Sequence, residues 1–136
     1  MTRFILDCSV TVAWCFEDEA DRYSDRVLAA LSADSAVVPG LWPLEVANLL
    51  LVSERRGRLK TDDTRRFLEH LASLPITVDP AIPDAMDLLA VGRVHSLSAY
   101  DAAYLHLAIR ARLPLATRDR TLGAAARAAR VARFVP

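Results

Sequence analysis

The sequence predicts an α/β fold: a three-layer α/β/α sandwich around a central parallel sheet of about five short strands. Three features carry this. Short apolar runs alternate with longer stretches of helical periodicity. The runs are apolar throughout rather than at every second residue, the pattern of strands covered on both faces. No internal repeat, low-complexity tract or linker interrupts the chain, so residues 1–136 read as one domain with room for a hydrophobic core.

Phe4-Ile-Leu forms the first strand and runs directly into Asp7. A helix from Asp21 to Leu31 leads to the second strand, Ala36-Val-Val, which Pro39-Gly40 ends. Pro43 to Arg55 is the next helix, with Pro43 suited to the first helical position. Asp62 to Leu74 follows it and leads to the third strand, Ile76-Thr-Val. Helices from Pro83 to Val94 and from Ser98 to Arg112 precede the fourth strand, Leu115-Ala-Thr. Thr121 to Ala129 is the last helix, and Arg133-Phe-Val a short final strand. Paired helices before the third and fourth strands depart from plain strand–helix alternation.

Composition narrows the function classes. The chain is 53% hydrophobic and 25% charged, which fits a folded soluble protein rather than a disordered one. It has no apolar run of about 18 residues for a membrane span and no secretory signal pattern, so a cytoplasmic location is expected. Net charge is zero, so overall charge announces no nucleic-acid partner, although 16 of the 17 basic residues are arginine and only Lys60 is lysine. Cys8 and Cys15 lack zinc-site or CxxC spacing and read as reduced packing residues. His70, His95 and His106 form no metal-ligand pattern.

In an open parallel sheet, ligands gather at the carboxyl ends of the strands. Asp7 follows the first strand, Glu45 starts the helix after the second, and Asp119 follows the fourth. Asp101 lies near the start of a helix that reaches the fourth strand through only Leu113 and Pro114. So tight a turn brings its N-terminus back to the same edge. Each carboxylate also has a local explanation. Asp7 and Asp119 are candidate helix caps, Asp101 stands at capping-box distance from Ser98, and Glu45 suits a helix dipole. Glu45 is the hardest to explain that way, because LWPLEVANLLLV is apolar on every side except at Glu45 and Asn48 and reads as buried. Four converging carboxylates repel one another unless a multivalent cation joins them. Mg²⁺ or Mn²⁺ suits oxygen donors, and the chemistry implied is metal-assisted phosphodiester hydrolysis.

Four segments, FILDCSVTVAWCFEDE, LWPLEVANLLL, LSAYDAAYLHLA and LATRDRTL, then make the chain resemble the PIN-domain nucleases, specifically VapC-like toxins of bacterial toxin–antitoxin pairs. The resemblance covers essentially the whole length. It implies an acidic tetrad at Asp7, Glu45, Asp101 and Asp119, with Asp7, Asp101 and Asp119 as metal ligands. It also implies Mg²⁺- or Mn²⁺-dependent RNA cleavage, a homodimer and a cognate antitoxin protein. Ser9 and Thr117 match the family's D-x-S and T-x-D hydroxyls, which would orient a carboxylate or a water. Where some relatives carry a further acid this chain has Thr121, so one firmly bound ion is expected.

Arg118 and Arg120 flank Asp119 and are candidates for contact with the RNA phosphate. The basic residues from Arg55 to Arg66 either grip RNA or form a solvated helix connection neutralised by Glu54, Asp62 and Asp63. Trp14, Phe16, Trp42 and Tyr100 lie near the acids and either stack a base or pack the core. Apolar Leu49 to Val52, with Phe67, Leu68, Leu71 and Leu74, suggest an interface. A phosphoryl-accepting signalling domain is disfavoured, because no second acid follows Asp7 by two positions and no lysine follows the last strand. The alternative function is a catalytically silent PIN-fold module that binds its antitoxin or RNA partner.

Overall fold

Phe4, Ile5 and Leu6 are completely buried because their strand has a neighbour on each side. The computed structural model describes residues 1–136. Its strands are β1 (Arg3–Leu6), β2 (Ser35–Val38), β3 (Ile76–Val78) and β4 (Leu115–Ala116), in the order β3-β2-β1-β4 with every pair parallel. Helices α1 (Cys8–Cys15), α2 (Arg22–Ala30), α3 (Leu41–Arg55), α4 (Thr61–Ser73), α5 (Ala85–His95), α6 (Ala99–Ala111) and α7 (Arg120–Ala128) flank this sheet. A 3-10 turn spans Glu17–Glu19. No helix is long and apolar enough to cross a membrane.

The apolar runs in β1, β2 and β4 are covered, as uniform hydrophobicity requires. Each fully buried Val, Leu, Ile or Phe contributes about 1.5–3 kcal/mol relative to exposure. β3 differs. It is the edge strand, and Thr77 and Val78 are exposed.

Several elements differ from the sequence expectation. The sheet has four strands, and the segment Arg133-Phe-Val makes a single bridge, Arg133 to Leu115, rather than a fifth. Its partner β4 is only two residues long, and Pro136, which has no N–H, follows at once. The segment is held by the hydrogen bonds of that bridge, by the Tyr23 hydroxyl donating to the Phe134 carbonyl at 2.8 Å, and by packing. Phe134 is buried and stacks on Phe4 with ring centroids 3.9 Å apart.

α1 carries no amphipathic stripe and begins directly at Cys8, so periodicity gives no sign of it. It is fixed by tertiary contacts: the buried Thr11 hydroxyl accepts a hydrogen bond from the Trp42 indole at 3.1 Å. α3 begins at Leu41, two residues earlier than Pro43 suggests, because the Trp42 N–H already donates to the Pro39 carbonyl. Nor is α3 buried all round. Trp42, Val46, Leu50 and Ser53 face the core, whereas Leu44 is 72% and Leu51 50% exposed. Its apolar character thus supplies both a core face and an outer face.

The last segment's apolar contribution therefore comes mainly from one aromatic ring rather than from a strand. Phe134→Ala should cost about 3–5 kcal/mol, read as a lower urea midpoint with an unchanged slope. A loss within experimental error would show that the C-terminal segment is not docked.

Candidate active site

The chain lays down β1, β2 and β3 in one direction and then crosses back to place β4 on the other side of β1. The order therefore reverses between β1 and β4, and a crevice opens at the carboxyl ends of those two strands. Asp7 is the residue after β1 and caps α1 by position; Asp119 follows β4 and caps α7. β2, parallel to β1, sends α3 from the same edge, and α6 begins with Asp101 in its first turn.

Asp7 is buried, with 5% of its surface exposed. Its Oδ2 accepts hydrogen bonds from the Ser9 hydroxyl at 2.6 Å and the Thr117 hydroxyl at 2.7 Å. Ser9 also accepts from the Arg118 N–H at 2.9 Å, and Thr117 from the Asp119 N–H at 3.0 Å. These two hydroxyls therefore tie the end of β1 to the loop after β4. Glu45 is half-buried, and its Oε1 accepts from the Tyr104 hydroxyl at 2.6 Å. It lies beyond the first turn of α3, since that helix starts early, so a dipole role does not explain it. Asp119 Oδ1 accepts from the Leu122 N–H at 2.9 Å. In three of the four acids one oxygen is thus held by a protein donor, and the second has no side-chain donor. Asp101 has neither, although its N–H is capped by Ser98.

No lysine or arginine lies within ion-pair distance of these four carboxylates. Burial holds the Asp7 carboxyl above its ordinary range and the charge of Asp119 adds to this, against the lowering effect of Ser9 and Thr117. Burial likewise raises Glu45, offset by Tyr104 and reinforced by Asp7 and Asp101. Asp101 is raised by burial, then by Asp119 and Asp7. Burial, with Glu45 and Asp7 nearby, pushes the Cys8 thiol up to about 12, so it stays protonated beside the acids. The same environment pushes Tyr104 far upward and keeps it a neutral donor.

Unpaired carboxylates that raise one another's proton affinity form the donor set that a hard divalent cation suits. No three acidic, histidine or cysteine side chains come close enough together to ligate one ion directly. A cation here would accordingly be held partly through water, as Mg²⁺ commonly is.

Other candidates from the sequence sort differently. Arg118 does not present a free guanidinium: it pairs with Asp21 at 2.9 Å and Glu19 at 3.7 Å and donates to the Ser9 carbonyl. Arg120 is exposed and unpaired. Trp14 and Trp42 use their indole N–H groups on Ser24 and Thr11 inside the fold, and Phe16 is buried beneath Arg58. Only Tyr100, 69% exposed, remains available to solvent. Both cysteines are free thiols.

Sequence reasoning missed Tyr104 and the Glu19–Asp21 pair. Tyr104 follows Asp101 by three residues on the same helical face, a spacing that was available as a signal. Nothing local marks Glu19 or Asp21 as partners of Arg118, about a hundred residues away in the chain.

Residues 4–128 match the model of the PIN domain family. Over 122 residues the chain is 30% identical to Ribonuclease VapC3 of Pyrobaculum aerophilum, an alignment taking in 88% of this chain and 92% of that protein. The fold is similar to the crystal structure of PAE2754 from Pyrobaculum aerophilum, with a TM-score of 0.72 and 23% identity. That likeness covers 91% of this chain and 84% of the other, and it speaks to fold alone.

Because the folded-state value of Asp7 lies above 3.8, its ionisation costs stability. The favourable contribution is complete below 3.8 and is lost as pH rises through the raised value. In chelator, Asp7→Asn retains an acceptor for Ser9 and Thr117 and should melt higher than the unmodified protein at pH 7. The gap should close as pH falls toward 3.8. A lower melting temperature for the variant at pH 7 would contradict this electrostatic account.

Proposed function

The chain belongs to the PIN domain family, and from that premise we propose that it is a metal-dependent endoribonuclease, the toxin of a VapC-type toxin–antitoxin pair, acting on single-stranded or looped RNA. One observation supports this more than any other. Asp7, Glu45 and Asp119 each have one oxygen fixed by a protein donor and one without a side-chain donor, at the crevice where the strand order reverses. Helix capping alone accounts for Asp119 and leaves Asp7 and Glu45 unexplained.

In this reading Asp7, Asp101 and Asp119 would hold Mg²⁺ or Mn²⁺, partly through water, and the ion when bound would supply positive charge against phosphoryl oxygens and lower the pKa of a water. Ser9 and Thr117 fix the Asp7 carboxylate, so the site is oriented before substrate arrives. Tyr104 holds Glu45 Oε1, and the raised proton affinity of Glu45 suits its Oε2 for taking a proton from the attacking water.

The partners follow the same reading. An antitoxin would silence the site by placing an arginine or lysine against Asp7 or Asp101, supplying the counter-charge the chain lacks. Of the apolar residues the sequence suggests for an interface, Leu50 and Leu71 are core residues instead, and a homodimer would cover Leu51 and Leu68 with other exposed side chains such as Leu44 and Met86. A cytoplasmic site of action fits an RNA substrate.

Purified protein should cut single-stranded RNA with Mg²⁺ or Mn²⁺ and stop in excess chelator. Asp7→Asn and Asp101→Asn should each lower the rate at least about 100-fold. Cleavage that survives chelation, or is unaffected by either substitution, would sink the proposal. Either ion at millimolar concentration should also raise the melting temperature by mass action, and Asp7→Asn should blunt that rise. A melting curve indifferent to both ions would argue against a metal site.

A further inference from the structure

Two clusters of arginines differ in how they are paired. Around the α3–α4 connection, Arg58 pairs with Asp18, Arg65 with Asp62 and Glu69, and Arg66 with Asp63. Three of the six basic residues there are thus paired, while Arg55, Arg56 and Lys60 lie among Glu54, Asp62 and Asp63 without a direct ion pair. The second group surrounds α7. A cleft of about 670 Å³ is lined by Arg118, Arg120, Arg127, Arg130 and Arg133, with Asp119 its one acid. Of these five only Arg118 has carboxylate partners, while Arg133 lies over the Tyr23 ring at 4.1 Å. Arg120, Arg127 and Arg130 are exposed and unpaired. Three unpaired arginines thus share one concave wall that holds a single acid.

Backbone conformation singles out one of these arginines and a neighbour. α7 ends in a turn where the Arg130 N–H donates to Arg127 and the Val131 N–H to Ala126. α6 ends alike, with Leu113 donating to Ala108. The left-handed residues at these two turns are Arg130, with φ 61°, and Arg112, with φ 55°. Glycine is the usual occupant, because a Cβ is strained there. Both positions carry arginine instead. Arg112 and Arg130 also share a second groove that adjoins the first through Val131 and Ala132. Positive charge therefore runs from Thr117 around the end of α7 to the end of α6.

We propose that this cleft is a backbone track for the RNA strand, in which Arg120 takes a phosphate beside the bond held at the four carboxylates and Arg127 and Arg130, at the far end of α7, take phosphates further along the strand. The inference rests on the nuclease reading above. Thr117 and Asp119 are in the cleft wall, so a strand with its reactive phosphate at the acids continues into the cleft. Guanidinium forks match phosphate oxygens, and such contacts position a strand without reading its sequence. An acidic protein segment fits less well. The larger apolar walls, such as Leu115 and Ala126, are buried, and a protein interface needs exposed apolar anchors at a core poor in charge.

The test is binding of a labelled single-stranded RNA by fluorescence anisotropy across a salt series, in an Asp7→Asn background that does not cut. Removing one arginine–phosphate pairing lowers the slope of log affinity against log salt by about 0.7. Arg127→Ala/Arg130→Ala should therefore lower it by about 1.4 and weaken binding at low salt at least about tenfold. Arg65→Ala/Arg66→Ala makes the same change of charge in the paired cluster and should leave slope and affinity nearly as they were. Arg130→Gly separates charge from structure: it should melt higher, with the left-handed turn relieved, yet bind RNA more weakly. Unchanged binding by Arg127→Ala/Arg130→Ala, with the unmodified protein still cutting RNA, overturns the track and leaves the nuclease reading standing. Equal losses in both double variants overturn it too, since net charge alone would then be responsible. If the double variant instead loses only a polyglutamate peptide probe, the cleft belongs to an acidic protein segment and the proposal fails. An unmodified protein that neither cuts nor binds RNA brings down the nuclease reading and the track with it.

Discussion

A carboxylate buried at the end of the central strand has to be solvated by the protein itself, and the rest of the site is arranged around that need. Asp7 obtains its donors from Ser9, two residues on, and from Thr117, across the strand-order reversal. Because one donor comes from each side, the same two bonds that make Asp7 tolerable also clamp β1 to the loop after β4. Ser9 and Thr117 in turn accept the N–H groups of Arg118 and Asp119, so the backbone that presents Asp119 is set by the solvation of Asp7. Breaking the clamp would leave a buried charge short of partners, which costs more than an ordinary hydrogen bond contributes.

The remaining acids are placed by less demanding means. Asp119 is anchored as the cap of α7, Asp101 by the Ser98-capped start of α6, and Glu45 by one tyrosine hydroxyl. None is given a cationic partner, and burial and mutual repulsion raise the proton affinity of Asp7, Glu45 and Asp101. Repulsion left standing at a strand-end crevice is a stability cost that a bound cation would relieve. Cations are excluded from the acids but abundant beside them. Arg118 is turned away toward Glu19 and Asp21, and the other α7 arginines remain open to solvent. The crevice thus sets a negative centre against a positive border.

The sequence made much of this legible because the signals were local. Uniformly apolar runs marked β1, β2 and β4, and a carboxylate at or just beyond a strand end marked Asp7 and Asp119. The tight Leu113–Pro114 turn was enough to place Asp101 at the same edge, since a turn of that length leaves α6 little choice. Other features had no local signal. α1 lacks an amphipathic stripe, the outward face of α3 looks as apolar as its inward one, and Arg133-Phe-Val reads as a strand although β4 offers it a single bridge.

By itself, then, the sequence determined the class of fold and the strand-end location of the acids, because residue type and short-range spacing control both. Tertiary structure decided which side chains answer the buried charges, and which arginines are neutralised. Thr117 reaches Asp7, Tyr104 reaches Glu45, and Arg118 reaches Asp21 across separations of roughly sixty to more than a hundred residues. Hydrogen bonds and ion pairs depend on distances of a few ångströms, and for residues so far apart in the chain only the folded packing sets those distances.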